Sequence, residues 1–162
     1  MKTRSIRKTY AGIPTVEGAG VNLVRIFSKP DVEELDPFLL LDYFDSENPD
    51  DYMKGFPWHP HRGIETITYL IEGSIKHEDN LGNSGLIEPL GCQWMTAGRS
   101  IFHQEMPNTE GHLKGTQLWL NLPRAHKMTA PAYRDIHAKD LVFVSNGIDY
   151  PSLIFKSIDS VK

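Results

Sequence analysis

The residues with the clearest chemical potential form two short pairs, His59 with His61 and His103 with Glu105. Each pair is separated by a single intervening residue. In an extended chain, residues i and i+2 point to the same face of the strand and lie about 6.5 Å apart along it. Side chains at that separation can lean towards one ion. The sequence therefore predicts that the two pairs meet on neighbouring strands and bind one divalent metal ion.

The predicted ligand set, three imidazole nitrogens and one carboxylate, suits several metals. Imidazole binds zinc, copper, iron and nickel, and two histidines with one carboxylate are the ligands of non-heme iron oxygenases. An octahedral iron ion with four protein ligands keeps two positions for substrate and dioxygen. A tetrahedral zinc ion with the same ligands has a complete shell and a structural role. The residue types alone leave both alternatives open.

Glu65 shares the parity of His59 and His61, so it is a further candidate ligand. Gly63 lies between them, and a bulge there would turn Glu65 to the other face. The favoured interpretation is structural, with Glu65 at the end of a strand and paired with a basic neighbour such as Arg62. The remaining histidines are predicted to have no functional role. His77 is expected to be solvated within the charged run KHED, His112 lies in the Gly-flanked loop GHLKG, and His126 and His137 lie among polar residues.

Other residues near the pairs have simpler interpretations. Five residues flank the ligands and form either pocket walls or ordinary core: Phe56, Pro57, Trp58, Met106 and Pro107. Cys92 is predicted to be buried and inert, because no helix N-terminus or basic cluster lies near it in sequence to activate the thiol. A single cysteine cannot form an internal disulfide, which favours a reducing compartment. We therefore expect a cytoplasmic protein.

Length and composition limit the class of protein. A chain of 162 residues fits one domain, and 40% hydrophobic with 10% aromatic residues is enough for a packed core. The formal net charge is -4, whereas nucleic-acid-binding domains are typically basic. No apolar stretch approaches the ~18 residues of a membrane helix. We therefore expect a globular domain that binds neither nucleic acid nor membrane.

The apolar residues alternate with a period of two, which is typical of strands. Short strands separated by Gly- and Pro-containing turns at roughly 8 to 12 residues favour a sandwich or barrel. One helical turn is predicted at residues 32–35 with Asp31 as its cap, a solvated acidic loop at 45–51 and a turn at 80–85. The predicted strands cover residues 21–27, 38–41, 65–71, 74–78, 93–96, 101–105, 117–122, 141–144 and 153–155. The fold class is all-β.

Long segments of the chain resemble the pirin family, within the cupin superfamily. The central segments are HPHRGIETITYLIEGSIKHEDNLGNSG and QWMTAGRSIFHQEMP, preceded by PFLLLDYFD and followed by LWLNLPRAHKM. The resemblance runs from about Ile6 to about Ile136. It implies a single-domain cupin-type antiparallel β-sandwich or barrel of the jelly-roll kind.

The resemblance also implies a metal and its ligands. Pirins bind iron with three histidines and one glutamate, and those positions fall on His59, His61, His103 and Glu105. Iron(II) is therefore favoured, with zinc, copper, nickel and manganese as alternatives. The usual cupin glutamate position is not a ligand in pirins, which supports the structural interpretation of Glu65.

Two classes of function follow from the resemblance. Some pirins resemble quercetin 2,3-dioxygenases, which open the flavonol ring and release carbon monoxide. In that case a flavonol-like small molecule is the substrate, and Glu105 serves as general base as well as ligand. A mammalian pirin is instead a redox-sensitive transcription cofactor, which implies an iron-containing regulatory module without turnover. A third alternative is a degenerate pirin whose metal is only structural.

Pirins normally contain two cupin domains, and the resemblance fades from about His137. Residues 1–137 are predicted to form the N-terminal cupin domain, and residues 138–162 a short C-terminal extension, a remnant of a second domain or a set of exchanged strands. A missing second domain would leave an apolar face exposed. We therefore expect a homodimer, formed by exchange of the C-terminal strands.

Overall fold

The structure is a computed structural model that describes residues 5–140, 142–144 and 152–154. Short strands dominate it, joined by turns and short helices. The strands are β1 Ile13–Glu17, β2 Val21–Phe27, β3 Phe38–Ser46, β4 Phe56–His61, β5 Ile64–Glu72, β6 Ile75–Asp79, β7 Ser84–Ile87, β8 Cys92–Thr96, β9 Ile101–Pro107, β10 Leu113–Asn121, β11 Ala132–Ile136, β12 Val142–Val144 and β13 Ser152–Ile154. The helices are α1 Val32–Leu35 and four 3-10 turns, Lys29–Asp31, Pro49–Asp51, Arg124–His126 and Ala138–Asp140.

Antiparallel pairing organises most of these strands into two sheets. The larger sheet has the order β1-β2-β3-β10-β5-β8-β11, and the smaller has the order β4-β9-β6-β7. β12 and β13 pair with each other. Every strand pairing in the described residues is antiparallel. The prediction of an all-β antiparallel sandwich is confirmed.

The main apolar core lies between the two sheets. Leu70 of the larger sheet and Ile75 of the smaller are 0% and 5% exposed and belong to one cluster. The other buried members are Val21, Leu23, Phe44, Tyr52, Ile87 and Leu113. Burying a side chain of this kind contributes about 1.5–3 kcal/mol, so this cluster fixes the two sheets face to face.

β5 shows how the interior changes from apolar to polar. Its burial alternates along the strand, and the inward side chains are Thr66, Thr68 and Leu70. β-branched residues at most positions favour the extended conformation. Leu70 packs in the apolar core, whereas the Thr68 hydroxyl donates to the buried Glu105 carboxylate at 3.0 Å. The polar end of this interior is where the candidate site lies.

β3 is longer than the sequence predicted. The strand was expected to end at residue 41 and the acidic loop to begin at residue 45, but β3 continues to Ser46. Asp42 accepts two hydrogen bonds from Arg25 of β2, and Asp45 pairs with Lys114 of β10 at 3.0 Å. Because cross-strand cations partner these acidic residues, they remain in the sheet, and the prediction of a loop from residue 45 is wrong at its start.

The C-terminal strands agree with the sequence as far as they are described. The predicted strands at 141–144 and 153–155 correspond to β12 and β13, while residues 141 and 155 lie outside the described part. The domain boundary between residues 137 and 138 and the homodimer stay predictions. Within the described residues, no helix is long and apolar enough to cross a membrane.

Cys92 is expected to be unreactive in the native protein. The side chain is 3% exposed, and burial raises the pKa of its thiol from 9.0 to about 11. Only the thiolate attacks disulfide reagents, so a chromogenic aromatic disulfide at about pH 8 should label native protein very slowly. In urea one thiol per chain should react at the rate of a small-molecule thiol. Equally fast labelling without urea would show that Cys92 is accessible and overturn its assignment to the core.

Candidate metal centre

The pairing of β4 with β9 brings the two sequence pairs together. His59 lies directly opposite His103, and His61 lies opposite Ile101. β9 pairs on its other side with β6, where Asp79 is opposite His103. Directly paired residues share a face of the sheet, so the three histidines point into the same interior space.

The three imidazole rings converge through their Nε2 atoms. His59 Nε2 lies 3.1 Å from His61 Nε2 and 3.0 Å from His103 Nε2. One nitrogen from each ring lies within 4.8 Å of the others. With metal–nitrogen bonds of about 2.1 Å, adjacent ligands of an octahedral ion lie about 3.0 Å apart. The spacing of these nitrogens therefore fits a single ion shared by all three rings.

A hydrogen bond fixes which nitrogen of His59 faces this space. His59 Nδ1 lies 2.8 Å from the Pro57 carbonyl oxygen. A carbonyl only accepts, so Nδ1 carries the proton and Nε2 keeps its lone pair. Metal-binding histidines are commonly oriented in this way, with the distant N–H given to a carbonyl or carboxylate.

Burial keeps the other two rings neutral at physiological pH. His61 and His103 are 8% and 1% exposed. Burial, followed by the neighbouring histidines, lowers the pKa of each from 6.5 to about 3. A neutral imidazole has a lone pair for a cation and needs no deprotonation before binding.

The same pKa shifts predict how acid affects the metal-free protein. The unfolded imidazoles take up protons near pH 6.5, whereas the folded His61 and His103 do so only near pH 3. Between these values the unfolded state binds more protons, so stability is lost as pH falls. Urea midpoints of metal-free protein should decrease from about pH 6.5 downwards, and less steeply in His61→Gln. Equal slopes for both proteins would show that His61 is not a neutral buried group.

Glu105 lies beside the histidine group but has other partners. Its Oε1 accepts from Thr68 Oγ1 at 3.0 Å, and its Oε2 accepts from Gln117 Nε2 at 2.7 Å. The residue is 3% exposed. Among the described residues, the group able to hold one ion consists of three histidines and does not include Glu105. A fourth ligand at Glu105 stays a prediction.

A cavity of about 970 Å³ opens at the histidine group. His59 and His61 line it together with apolar side chains, among them Leu40, Phe56 and Trp119. The Trp119 ring meets the His61 ring edge-on, with 4.9 Å between centroids. Binding sites for small molecules are typically apolar cavities of about 300–1,000 Å³ with a few polar groups, and this one has that form.

Gln117 and Arg25 add fixed polar groups to the cavity wall. Gln117 accepts a hydrogen bond from Trp119 Nε1 at 3.0 Å and so links the aromatic wall to Glu105. Arg25 donates to both carboxylate oxygens of Asp42 at 2.9 Å and to Glu17 at 2.7 Å. Arg25 is therefore held in place by two anionic partners.

Comparison with known proteins places the chain in a family. The family model of pirin matches residues 20–120, which include every residue of the histidine group and Glu105. The chain belongs to the pirin family. Its fold is accordingly the cupin-type β-sandwich that the sequence predicted.

Several pirin relatives carry names that bear on function. A Pseudomonas aeruginosa protein named "Putative quercetin 2,3-dioxygenase" is 52% identical over 139 residues, which are 85% of this chain and 49% of that protein. A crystal structure of quercetin 2,3-dioxygenase from Acinetobacter baumannii has a TM-score of 0.76 at 36% identity, covering 84% of this chain and 50% of that one. The bacterial pirin YhhW from Escherichia coli, in complex with nickel(II), has a TM-score of 0.63 at 25% identity, covering 76% and 53%.

The coverage of these matches is asymmetric. The chain spans about half the length of the curated relatives it matches. These relatives and the buried histidines point to a divalent metal at this site in the pirin chain.

His77 is the site-related residue that the sequence analysis missed. It was predicted to be solvated within the charged run KHED, but it is 0% exposed, and that prediction is wrong. Inward positions alternate along β6, which buries Ile75, His77 and Asp79 together. The ring of His77 lies 5.1 Å from that of His103, centroid to centroid. The sequence signal was the alternation of period two along β6, and it was missed because two of the three inward residues, His77 and Asp79, are polar.

Glu65 lies away from the histidines, as the sequence predicted. The inward residues of β5 are at even-numbered positions, whereas His59 and His61 of β4 are at odd-numbered ones. The chain changes from one pattern to the other at Gly63, whose φ is 69°. Glu65 accepts a hydrogen bond from Thr96 Oγ1 at 2.6 Å, so its observed partner is Thr96 rather than the expected Arg62.

The other histidines lie at the surface. His112 contacts Asp45 at 2.5 Å and Glu72 at 2.9 Å, which is a surface ion-pair cluster rather than a cavity group. His126 and His137 are exposed. The predictions that gave these three residues no place in the site agree with where they lie.

Proposed function

We propose that this chain binds one divalent metal ion, with iron(II) favoured, and oxygenates a flavonol in the manner of a quercetin 2,3-dioxygenase. The observation that carries the proposal is that the three-histidine group opens, through His59 and His61, onto a cavity of about 970 Å³ with apolar walls. The names of two similar proteins give the reaction class. Zinc, copper, nickel and manganese are the alternative ions, since imidazole and carboxylate ligands suit them as well.

The ligands in this proposal are His59, His61 and His103, with Glu105 as the fourth. The histidine nitrogens are already spaced for one ion. A bound ion would polarise the oxygens of the substrate and lower the pKa of its hydroxyl. Glu105 is two residues from His103 on the same strand, so its side chain leaves β9 on the same face as the His103 ring.

Glu105 is also the proposed general base. Its carboxylate is buried and accepts one hydrogen bond at each oxygen, from Thr68 and from Gln117. When a substrate hydroxyl gives its proton to Glu105, the Thr68 hydroxyl can rotate and accept instead of donating. Gln117 keeps the other oxygen in place through its bond to Trp119. The network therefore offers the protonated carboxyl an acceptor in the Thr68 oxygen, which also accepts from Gln117 Nε2 at 3.1 Å.

The cavity suits a flat, largely apolar molecule with a few hydroxyl groups. Phe56 and Trp119 offer aromatic surface for stacking or edge contacts. Gln117 lies between that surface and the Glu105 carboxylate. A flavonol placed with its hydroxyl and carbonyl towards the histidines would leave its remaining rings against these apolar walls.

The proposal is tested by flavonol turnover under defined metal and oxygen. Metal-free protein is reconstituted with iron(II) under argon and mixed with quercetin and air. One carbon monoxide and one ring-opened ester should appear for each flavonol and each O₂ consumed. Metal-free protein and an oxygen-free reaction serve as controls. A protein with its metal site filled that consumes no flavonol would contradict the enzymatic proposal.

A regulatory iron-containing module is the second candidate, and one surface feature favours it. Trp58 and Phe102 are 46% and 42% exposed. They stack with 6.0 Å between centroids on the strands that contribute the histidines, at the positions between the inward residues. A change at the metal would therefore be one residue away from an exposed aromatic contact surface. Partner affinity that is the same with reduced and oxidised iron would contradict this candidate.

A further inference from the structure

His77 is a buried histidine directly behind one of the metal-site rings. It lies on β6 opposite Glu105 of β9 and is 0% exposed. Its Nδ1 lies 3.4 Å from Nδ1 of His103, on the side of that ring away from the other two histidines. The described residues provide no hydrogen-bond partner for its Nε2. One nitrogen of this buried histidine therefore contacts another ring, and the other has no partner among the described residues. The burial of such a polar ring calls for a physical explanation.

The contact between the two Nδ1 atoms constrains both tautomers. One of these nitrogens must donate and the other must accept. If His103 donates, its Nε2 keeps a lone pair towards His59. If His77 donates, a neutral His103 carries its proton on Nε2, and that proton points into the space between the histidines and blocks a cation.

Asp79 favours the first arrangement. Its Oδ2 lies 4.0 Å from His77 Nε2, and both residues are buried. Asp79 is held in place because its carboxylate accepts from the backbone N–H groups of Leu81 and Asn83 and from Asn83 Nδ2. At 4.0 Å the carboxylate is beyond hydrogen-bond distance but still attracts an N–H electrostatically. It therefore favours the proton on His77 Nε2, which leaves His77 Nδ1 as the acceptor.

We propose that His77, biased by Asp79, is a positioning residue that holds His103 in the tautomer with Nε2 free for the metal. This inference rests on the proposed metal site and adds a residue to it. His77 does for His103 what the Pro57 carbonyl does for His59. Changing such an outer partner typically weakens metal affinity about 10- to 100-fold.

The variants His77→Phe and His77→Asn separate positioning from packing. Phenylalanine keeps the ring shape but cannot accept a hydrogen bond. Asparagine places a side-chain oxygen near the position of Nδ1 and can accept from His103. Ile75→Val is the matched control, because Ile75 is on the same strand, faces inwards and belongs to the apolar cluster. Thermal unfolding of each metal-free variant shows whether it is folded.

The probe is Co²⁺ alone, with affinity measured by competition against a chelator. The second readout is the set of exchangeable N–H proton signals that Co²⁺ shifts in NMR spectra. His77→Phe should weaken affinity about 10- to 100-fold and make the His103 Nδ1–H signal exchange rapidly with water. His77→Asn and Ile75→Val should stay within about threefold of the wild type and keep that signal in slow exchange.

The outcomes distinguish this inference from the proposed metal site. Wild-type protein that does not bind Co²⁺ would refute the site itself. Folded His77→Phe with wild-type affinity and an unchanged N–H signal would refute only the role of His77. If His77→Phe does not fold, His77→Asn decides, because loss of affinity together with loss of the slow N–H signal would contradict acceptance by its oxygen.

Discussion

Replacing His61 by alanine is expected to weaken divalent-metal affinity by more than about 100-fold and to remove flavonol turnover. His61 contributes one of three converging nitrogens, with its Nε2 3.1 Å from that of His59. Losing an outer partner of a ligand already weakens affinity about 10- to 100-fold, so losing a ligand should weaken it more. The ring also forms part of the cavity wall beside Trp119. The variant therefore loses both a ligand and a contact surface.

Chelator competition and a quercetin assay at saturating iron(II) measure these two effects. His126→Ala is the matched control, because it removes the same side chain from an exposed position in the Arg124–His126 turn. The control should retain wild-type affinity and turnover. Wild-type metal affinity in folded His61→Ala would mean that the ion binds elsewhere.

Replacing Glu105 by glutamine is expected to lower flavonol turnover about 10²- to 10⁴-fold, the usual contribution of a positioned general base. Glutamine has nearly the same shape, and its amide oxygen can still accept from Thr68 or Gln117. It cannot accept the substrate proton. The three histidines remain, so the variant should still bind metal, with an affinity reduced by the lost negative charge.

Glu65→Gln provides the control for Glu105→Gln. It is the same chemical change on the neighbouring sheet, at a carboxylate that accepts from Thr96 and lies outside the histidine group. Turnover per bound metal ion is the quantity to compare. Glu105→Gln protein with wild-type turnover per metal ion would show that the base is another group, while loss of metal without recovery at high iron(II) would assign Glu105 to ligation alone.

The histidine group was predictable because its chemistry follows a local rule. His59 and His61 are two residues apart, and so are His103 and Glu105. In a strand that spacing fixes a common face without any knowledge of the fold. The all-β class followed in the same way, from the period of the apolar residues. The shared face within each pair and the all-β class needed only neighbours in sequence, whereas the meeting of the two pairs depends on the pairing of β4 with β9.

His77 was not predictable by that rule. Its neighbours Lys76 and Glu78 are charged, so the segment reads as solvated. It is buried because β6 lies next to β9 in the smaller sheet, which places His77 opposite Glu105. This pairing brings together residues 77 and 105, which are 28 positions apart in sequence. It depends on how the strands are arranged in the sheets. Only the tertiary structure shows that the polar residues His77 and Asp79 of β6 face inwards.

The cavity depends on the fold in the same way. Arg25 comes from β2, Gln117 and Trp119 from β10, and the histidines beside them from β4. Each of these segments was predicted as a strand or as an extended ligand pair, but not as a neighbour of the others. The carboxylate of Glu105 shows the same limit, because its bonds to Thr68 and Gln117 come from two strands of the opposite sheet.

The most direct test of this account is the metal content of the folded chain. Protein purified without added metal is incubated with excess iron(II) under argon, freed of unbound metal, and analysed by mass spectrometry for metal and by absorbance for protein. The account predicts one ion per wild-type chain and none in a variant with His59, His61 and His103 all replaced. Folded wild-type protein that retains no iron and no other divalent metal would contradict the central claim.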